Sequence, residues 1–283
     1  PVLNPWTLIV AQLSIWKIDR LCKKVPKDNP WASPRATEWD RITALEWAER
    51  NVRNPRVIAM VNAAVRVIFG SDMSELSFLH FLFYLHSGGG LTKLIESHDG
   101  QQDRWIVGGA QQLCTRMAAL SGDVCCSEPV REIYQDADGV EVCTDTRRIR
   151  AGRVIVTVPI PIADRIRFEP PLPQARAALH QRVEMGATIK VLALYETMFW
   201  REQGFSGESV CTDGPVTVTF DDTTPTGQPC LLTFVTGAPA RGWASRPEAE
   251  RREIVLSALV RYFGAAARHP THNFENDWDI EPF

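Results

Sequence analysis

Apolar residues recur at helical spacing through the first hundred positions of the chain. Their three- and four-residue intervals predict helices over residues 37–52, residues 55–69 and about residues 75–87. The second of these runs is flanked by an asparagine that can cap it and a glycine that can end it. Residues 1–35 indicate a helix followed by an extended, proline-containing stretch.

Beyond residue 105 the pattern changes to short apolar runs separated by turn residues, which is typical of strands. Strands are predicted at residues 124–126, 130–134 and 140–143, with a turn at Asp138-Gly139 before the last of them. Residues 154–158 are apolar throughout, so we expect a strand that is buried on both faces of a sheet.

The rest of the chain mixes both patterns. Strands are predicted at residues 188–195, 216–220 and 231–236, and helices from about residue 175 and from a cap at Ser245 to Phe263. The last helix is preceded by Ser245-Arg246-Pro247-Glu248, which has the form of a capping box. This order predicts two intertwined domains, each built from separate pieces of chain. Periodicity alone leaves α+β and α/β open.

Composition narrows the class of protein. The chain has 283 residues, of which 45% are hydrophobic, and a formal net charge of −3, so nothing indicates a nucleic-acid partner. No apolar run reaches the roughly 18 residues of a membrane-spanning helix, and we expect a soluble protein without a membrane segment. The seven cysteines form no CxxC pair and share no ligand spacing with the six histidines. This favours buried or half-buried free thiols in a reducing, cytoplasmic compartment over a zinc site.

Lys190 is the strongest candidate for chemistry on physical grounds. It interrupts an otherwise apolar strand, where a charged ammonium group carries a large desolvation cost unless it reaches a polar cavity. The alternative is a lysine at a strand edge, with its stem packed and its ammonium in water. The residues alone leave these two interpretations evenly balanced.

Three other motifs carry weaker signals. Gly108-Gly109 lies between a short apolar run and a helix, where backbone N–H groups can approach a phosphate, but the chain contains no GxGxxG fingerprint. Gly88-Gly89-Gly90 is better explained as a helix stop. Asp221-Asp222 follows a strand, and adjacent acids on a turn are more often capping or solvated groups than an acid–base pair or a metal site.

Six short blocks form a series along the chain. They are Pro30-Trp31-Ala32-Ser33-Pro34 with Glu38-Trp39-Asp40, residues 99–109, residues 154–159 with 168–173, Gly186-Ala187-Thr188-Ile189-Lys190 with Phe199-Trp200-Arg201, Phe220-Asp221-Asp222-Thr223, and Trp278. In this order and spacing, over essentially the whole chain, they resemble the flavin-containing monoamine oxidase family.

The resemblance implies an α+β chain of the α/β flavoprotein type, similar to p-hydroxybenzoate-hydroxylase-like flavoproteins. Residues 1–106 would then be the helical part of a substrate domain. Residues 107–180 would be the middle of an FAD-binding domain. Residues 181–280 would be the sheet-and-helix part of the substrate domain.

The resemblance also assigns site residues. Lys190 matches the family lysine that holds a water molecule beside N5 of the flavin, which favours its functional interpretation. Val130, Thr157, Val158 and Trp278 match positions that contact FAD. The positions that line the substrate cavity in the family are matched by Val67, Ile68, Leu94, Ile95, Gln102, Val218 and Phe234. Val218 replaces a bulky aromatic residue of some members, which suggests a wider or differently shaped pocket.

The implied reaction is the FAD-dependent oxidation of a neutral primary or secondary amine by oxygen, giving an aldehyde and hydrogen peroxide. The partners would be the amine and oxygen, and a homodimer is left open. We expect the chain to be an internal piece whose glycine-rich βαβ unit precedes Pro1 and whose aromatic pair around the amine follows Phe283. On that expectation the 283-residue chain alone retains no FAD. The alternative is a non-catalytic remnant that acts, if at all, by binding.

Overall fold

The computed structural model of the chain describes residues 4–96, 99–100, 104, 106–224 and 227–280. Helices and sheets are mixed in an α+β arrangement, as the resemblance implied. The chain divides into two compact units. The helix–sheet unit contains the residues up to Arg104 and those from Gly186 onward, and the inserted unit contains the residues between them.

The first part of the helix–sheet unit consists of six helices: α1 (Pro5–Cys22), α2 (Ala36–Asp40), α3 (Ala44–Asn51), α4 (Pro55–Phe69), α5 (Phe78–Gly88) and α6 (Leu91–Ile95). The predicted bounds of α4 are confirmed. Asn54 accepts hydrogen bonds from two N–H groups of the first turn, and Gly70 adopts a left-handed conformation at the end.

Two of the other helical predictions were wrong in their limits. The helix predicted over residues 37–52 is divided into α2 and α3, because Thr43 forms a capping box with Glu46 and starts a new helix. The helix predicted from about residue 75 begins at Phe78, where Ser77 accepts a hydrogen bond from the His80 N–H. A core of buried aromatic and aliphatic side chains joins these helices, and the rings of Trp47 and Phe78 stack within it, 4.7 Å apart.

The inserted unit contains α7 (Gln111–Leu120), β1 (Val130–Gln135), β2 (Val140–Thr144), β3 (Arg148–Ala151), α8 (Ile160–Ala163), β4 (Arg167–Glu169) and α9 (Gln174–Arg182). Its sheet has the order β3-β2-β1-β4, in which β4 pairs with β1 in parallel and the other pairs are antiparallel. The strands predicted at residues 130–134 and 140–143 are confirmed.

Two strand predictions in this unit were wrong. Residues 154–158 form no strand, and every one of them is solvent-exposed, with Ile155 87% exposed. A buried strand needs a hydrogen-bonded neighbour on each edge, and none of the described strands lies beside this run. Residues 124–126 likewise form no strand and are exposed. Apolar content alone therefore does not produce a strand at either place.

The helix–sheet unit resumes with β5 (Thr188–Leu194), α10 (Phe199–Glu202), β6 (Ser209–Val210), β7 (Val216–Asp221), β8 (Cys230–Thr236), α11 (Glu248–Phe263) and β9 (His272–Asp277). The five strands form an antiparallel sheet in the order β6-β7-β8-β5-β9. Thus β5 lies inside the sheet, between β8 and a strand that arrives about eighty residues later in the sequence.

Helix α11 packs on one face of this sheet, where Ile189 and Val191 of β5 are buried with Leu259 of the helix. The predicted end of this helix at Phe263 is confirmed, but the helix begins at Glu248, behind Pro247, so the predicted start at a capping box on Ser245 was wrong. Ser245 lies in a short 3-10 turn, and its hydroxyl donates to the carbonyl oxygen of Gly242 at 2.6 Å. The residue at the N-cap of α11 is Pro247, which supplies no side-chain cap.

The two sequence pieces of the helix–sheet unit are joined at the end of α4. The Ala187 N–H donates to the Gly70 carbonyl oxygen at 2.9 Å. A Cβ placed on Gly70 would lie 2.9 Å from the Cα of Gly186, so the chain requires a glycine here both for its positive φ and for this close approach. The start of β5 is therefore fixed against the end of a helix from the first part of the sequence.

The cysteines only partly follow the prediction. All seven are free, and Cys22, Cys143, Cys211 and Cys230 are buried. Cys114, Cys125 and Cys126 are exposed, so the expectation of buried or half-buried thiols was wrong for these three. Within the described ranges, no helix combines the length and apolar character that crossing a bilayer requires.

Candidate active site

Lys190 lies in the middle of a strand whose side chains alternate strictly between two environments. Ile189, Val191 and Ala193 are buried against the α11 side, while the even-numbered residues are half-buried on the opposite face. We call this opposite side of the five-stranded sheet the open face. Because β5 has hydrogen-bonded neighbours on both edges, Lys190 is not the strand-edge lysine of the alternative interpretation.

A row of four side chains crosses the open face at the level of Lys190. The strand register pairs Lys190 with Phe234 on one side and with Asn276 on the other, and it pairs Phe234 in turn with Val218. Directly opposed residues of neighbouring antiparallel strands project to the same face. Three of the predicted site residues, Lys190, Phe234 and Val218, therefore lie side by side in this order, with Phe234 in the middle.

The ammonium group of Lys190 leans towards Phe234. Its Nζ lies 5.3 Å from the centroid of the Phe234 ring, within the range of a cation–π contact. Among the described residues, the Lys190 side chain has no hydrogen-bond acceptor and no ion-pair partner. Its three N–H donors are therefore free to bind a ligand or a water molecule.

The adjacent acids at the end of β7 have different surroundings. Asp221 accepts from Trp200 Nε1 at 2.7 Å and from Arg201 Nε at 2.6 Å, so it fixes α10 to the sheet. Burial alone would raise the pKa of the Asp221 carboxyl, but these bonds and one from Thr223 hold that pKa below its ordinary value. This structural role agrees with the capping interpretation of the sequence.

Asp222 is solvent-exposed and directly follows Asp221. By the two-residue alternation of a strand, it continues the row of β7 positions that belong to the open face. The protein around Asp222 raises the pKa of its carboxyl, and the positive charge of Lys190 acts in the opposite direction. The charge of Lys190 therefore partly offsets this rise in the pKa of Asp222, although the two described side chains form no ion pair. No group of three or more potential metal-binding side chains occurs in the part of the chain that the structure describes.

Four other predicted substrate residues lie on the helices of the same unit. Val67 and Ile68 are half-buried in the last turn of α4, which packs against β7 and β8. Leu94 is half-buried and Ile95 is 40% exposed at the end of α6, which packs against α4. These side chains are apolar, but part of their packing belongs to the helical core, which Ile68 and Leu94 both join.

The remaining predicted positions are more dispersed. Trp278 is exposed and follows β9 directly, two residues after Asn276. Val130 begins β1, and Thr157 and Val158 lie in the exposed run of the inserted unit. Gln102 lies outside the described residues.

Sequence reasoning missed two residues of the open face. Phe220 is two residues beyond Val218 on β7, and its ring lies 5.9 Å from that of Phe234, at 89°. Period-two alternation from Val218 could have identified it. Asn276 was missed because β9 was not predicted: His272-Asn273-Phe274-Glu275-Asn276-Asp277 is mostly polar and has no apolar alternation.

This arrangement suits a flat ligand with hydrogen-bond acceptors along one edge. The open face offers free N–H donors at Lys190 beside aromatic and aliphatic side chains, with the exposed indole of Trp278 close by in the sequence. An isoalloxazine ring has this form, so the residues present fit the flavin that the resemblance implied.

The family comparison agrees with this fit. Residues 4–283 match the family model described as flavin containing amine oxidoreductase. A probable flavin-containing monoamine oxidase A of Dictyostelium discoideum is 31% identical over 95% of the chain and 60% of its own length. A putative flavin-containing monoamine oxidase of Mycobacterium tuberculosis is 33% identical over 95% of the chain and 59% of its own length.

Solved structures of amine oxidases are also similar to this chain. The cyclohexylamine oxidase of Brevibacterium oxydans superimposes with a TM-score of 0.88 at 35% identity, over 95% of this chain and 60% of that one. A putrescine oxidase bound to putrescine superimposes with a TM-score of 0.90 at 29% identity, over 99% of this chain and 63% of that one. The chain thus spans about 60% of the length of these relatives.

Proposed function

Since this chain belongs to the flavin-containing amine oxidoreductase family, we propose that the protein carrying it oxidises a primary or secondary amine with FAD as cofactor. The products are an aldehyde, formed after hydrolysis of the imine, and hydrogen peroxide. The observation that carries this proposal is Lys190, which lies inside a sheet on a half-exposed apolar face and has no hydrogen-bond or ion-pair partner among the described residues.

The bound flavin would supply the two-electron oxidation, which amino-acid side chains cannot provide. The protein has to orient the amine, exclude water and hold polar atoms in place. Lys190 would hold a water molecule through its free N–H donors beside the flavin ring. Trp278 would lie against the ring, and Val130, Thr157 and Val158 of the inserted unit would contact other parts of FAD. In this proposal the inserted unit is part of an FAD-binding domain, and the helix–sheet unit is the substrate domain.

We propose an apolar amine as the substrate. Val218 and Phe234 contribute only hydrocarbon surface to the open face, and Val67 and Ile68 contribute the same type of surface from α4. An apolar cavity favours the neutral amine over the ammonium form, because desolvating a charge is costly. The small side chain of Val218, which is buried beside the larger Phe234, leaves room for a bulky or branched substituent.

The test uses the full-length protein purified with FAD. We expect a stable visible flavin band that bleaches when an apolar amine is added without oxygen, and peroxide formation when oxygen is returned. Lys190→Met should slow flavin reduction or reoxidation while the circular dichroism spectrum stays unchanged, and Lys93→Met, on the exposed side of α6, is the matched control. A protein that binds FAD but is reduced by no amine would contradict the proposal. Failure to bind FAD would instead support the binding-module alternative.

A further inference from the structure

The ammonium of Lys190 is accompanied by an aromatic ring, where an acid would be the more common partner. Nζ lies over the Phe234 ring at 5.3 Å, and no carboxylate within ion-pair distance of it is present in the described part of the chain. Asp222 acts on Lys190 only as a charge at longer range. Phe234 is therefore a side chain that contacts this cation through its ring face.

The ring of Phe234 is held from its other side. Val218 is its directly opposed neighbour on β7, and the ring of Phe220 packs against it at 89°, with 5.9 Å between the centroids. Perpendicular packing of two rings restricts rotation about the side-chain torsions and contributes attraction beyond simple burial. A ring fixed in this way presents a constant electrostatic surface to Lys190.

We propose that Phe234 is a positioning residue for Lys190, whose ammonium its ring face holds by a cation–π interaction. This inference rests on the proposed function, in which Lys190 faces the flavin. A carboxylate at position 234 would accept the N–H donors of Lys190 and turn them away from a ligand. The π-face attracts the charge without accepting a directional hydrogen bond, so it fixes the ammonium and leaves its donors free.

The interaction predicts a dependence on the electron density of the ring. Fluorinated phenylalanines with one, two and three fluorines, introduced at position 234 of the full-length flavoprotein, keep the ring shape while weakening the negative face. We expect the rate of flavin reduction by amine to fall stepwise, by about two- to tenfold over the series. Phe205 is the matched control, because its ring packs edge-on against Phe263 in the same unit and has no contact with Lys190 or Phe234 among those the structure shows, so the same series there should be flat.

A second measurement does not depend on turnover. The reaction of Lys190 with an amine-acylating reagent at fixed pH is followed by mass spectrometry in the protein stripped of flavin. A ring face that holds Nζ less firmly leaves this atom freer to reach the reagent, so acylation should become faster along the series at position 234. The expected change is again about two- to tenfold, and acylation of the exposed Lys93 should stay constant.

The outcomes separate this inference from the proposed function. If Lys190→Met slows the enzyme but both fluorination series at position 234 are flat, Phe234 does not position Lys190 and the proposed function stands. If Lys190→Met leaves turnover unchanged, the proposed role of Lys190 fails, and the acylation series alone decides whether the ring holds its ammonium. A Phe234→Leu variant that folds and behaves like the parent in both assays also overturns the inference.

Discussion

Replacing Asp72 by asparagine should destabilise the helix–sheet unit more than any exposed charge change. The Asp72 carboxylate accepts hydrogen bonds from Asn62 Nδ2 at 2.7 Å, from Arg66 Nε at 2.7 Å and from the Ala238 N–H at 2.9 Å. It thereby connects α4 with the segment that follows β8. The side chains of Arg66 and Asp72 are only 21% and 12% exposed, so the pair is largely withdrawn from water.

The expected loss of unfolding free energy follows from the unpaired charge that Asp72→Asn leaves on Arg66. The variant keeps the shape but leaves the Arg66 guanidinium partly buried without its counter-charge, and removing one partner of a buried pair costs about 3–5 kcal/mol. Because the pair keeps some contact with water, we expect about 3 kcal/mol, near the lower end of that range. With an m-value of about 2 kcal/mol/M in urea, the unfolding midpoint should fall by about 1.5 M.

The assay is urea unfolding followed by tryptophan fluorescence. Eight of the nine tryptophans belong to the helix–sheet unit by sequence, the exception being Trp105, so the signal reports mainly on this unit. Glu38→Gln is the matched control, since it removes a carboxylate from an ion pair with Arg35 in which both side chains are more than half exposed. Its midpoint should hardly move.

The dependence on pH gives a second check. Burial alone would raise the pKa of Asp72, but the bonds from Asn62, Ala238 and Arg66 outweigh it and hold this pKa below its ordinary value. A lowered folded-state pKa stabilises the protein above the ordinary carboxyl pKa of about 4, and the effect is lost as the pH falls through the folded-state value. The difference between parent and Asp72→Asn should therefore shrink below about pH 4. A midpoint change no larger than that of Glu38→Gln, or a difference that persists undiminished in acid, would refute the reasoning.

Three further variants test local features, each by urea unfolding. Thr43→Ala removes the cap of α3 and should cost about 1 kcal/mol, whereas Thr43→Ser should restore most of it; equal loss in both would exclude capping as the cause. Gly186→Ala places a methyl group against the carbonyl oxygen that ends α4 and should cost about 2 kcal/mol, while Gly152→Ala, with open space around it, should be nearly neutral; the reverse order would contradict the close packing. Asp221→Asn weakens the bond from Trp200 and should lower the midpoint at neutral pH; because the pKa of Asp221 is held low in the folded state, this loss should begin to shrink only below about pH 4, as the pH falls towards the folded-state value.

Local sequence signals were sufficient to predict an element where its structure does not depend on which other elements pack against it. Helix α4 has its cap, its first-turn proline and its terminal glycine within one stretch of sequence, so both ends could be predicted. Strand β5 combines a continuous β-prone run with one charge, and its length requires no knowledge of its partners. The same run also singled out Lys190, because a lysine among apolar residues is anomalous in any fold.

Other features depended on contacts that no local pattern encodes. Residues 154–158 have the composition of a buried strand, but strand formation requires a hydrogen-bonding partner, and none of the described strands supplies one. Strand β9 is mostly polar and becomes a strand because β5 provides its ladder, while its Glu275 binds Arg251 of α11 at 2.7 Å. Ser245 has the right spacing for a cap, but its hydroxyl bonds backwards to Gly242.

The late arrival of β9 has a consequence for the order in which the nascent chain can fold. The helices α1 to α6 are synthesised before every strand of this sheet, and β5 gains its second neighbour only when synthesis reaches Asp277. The 173 residues from position 105 to Asp277 take roughly 9–35 s to translate at about 5–20 residues per second. Until β7 and β8 are complete at Thr236, the surface of α4 that later meets these strands has no sheet to cover it, so the growing polypeptide exposes apolar side chains. The sheet around Lys190 is thus completed only by a strand that lies about eighty residues further along the chain.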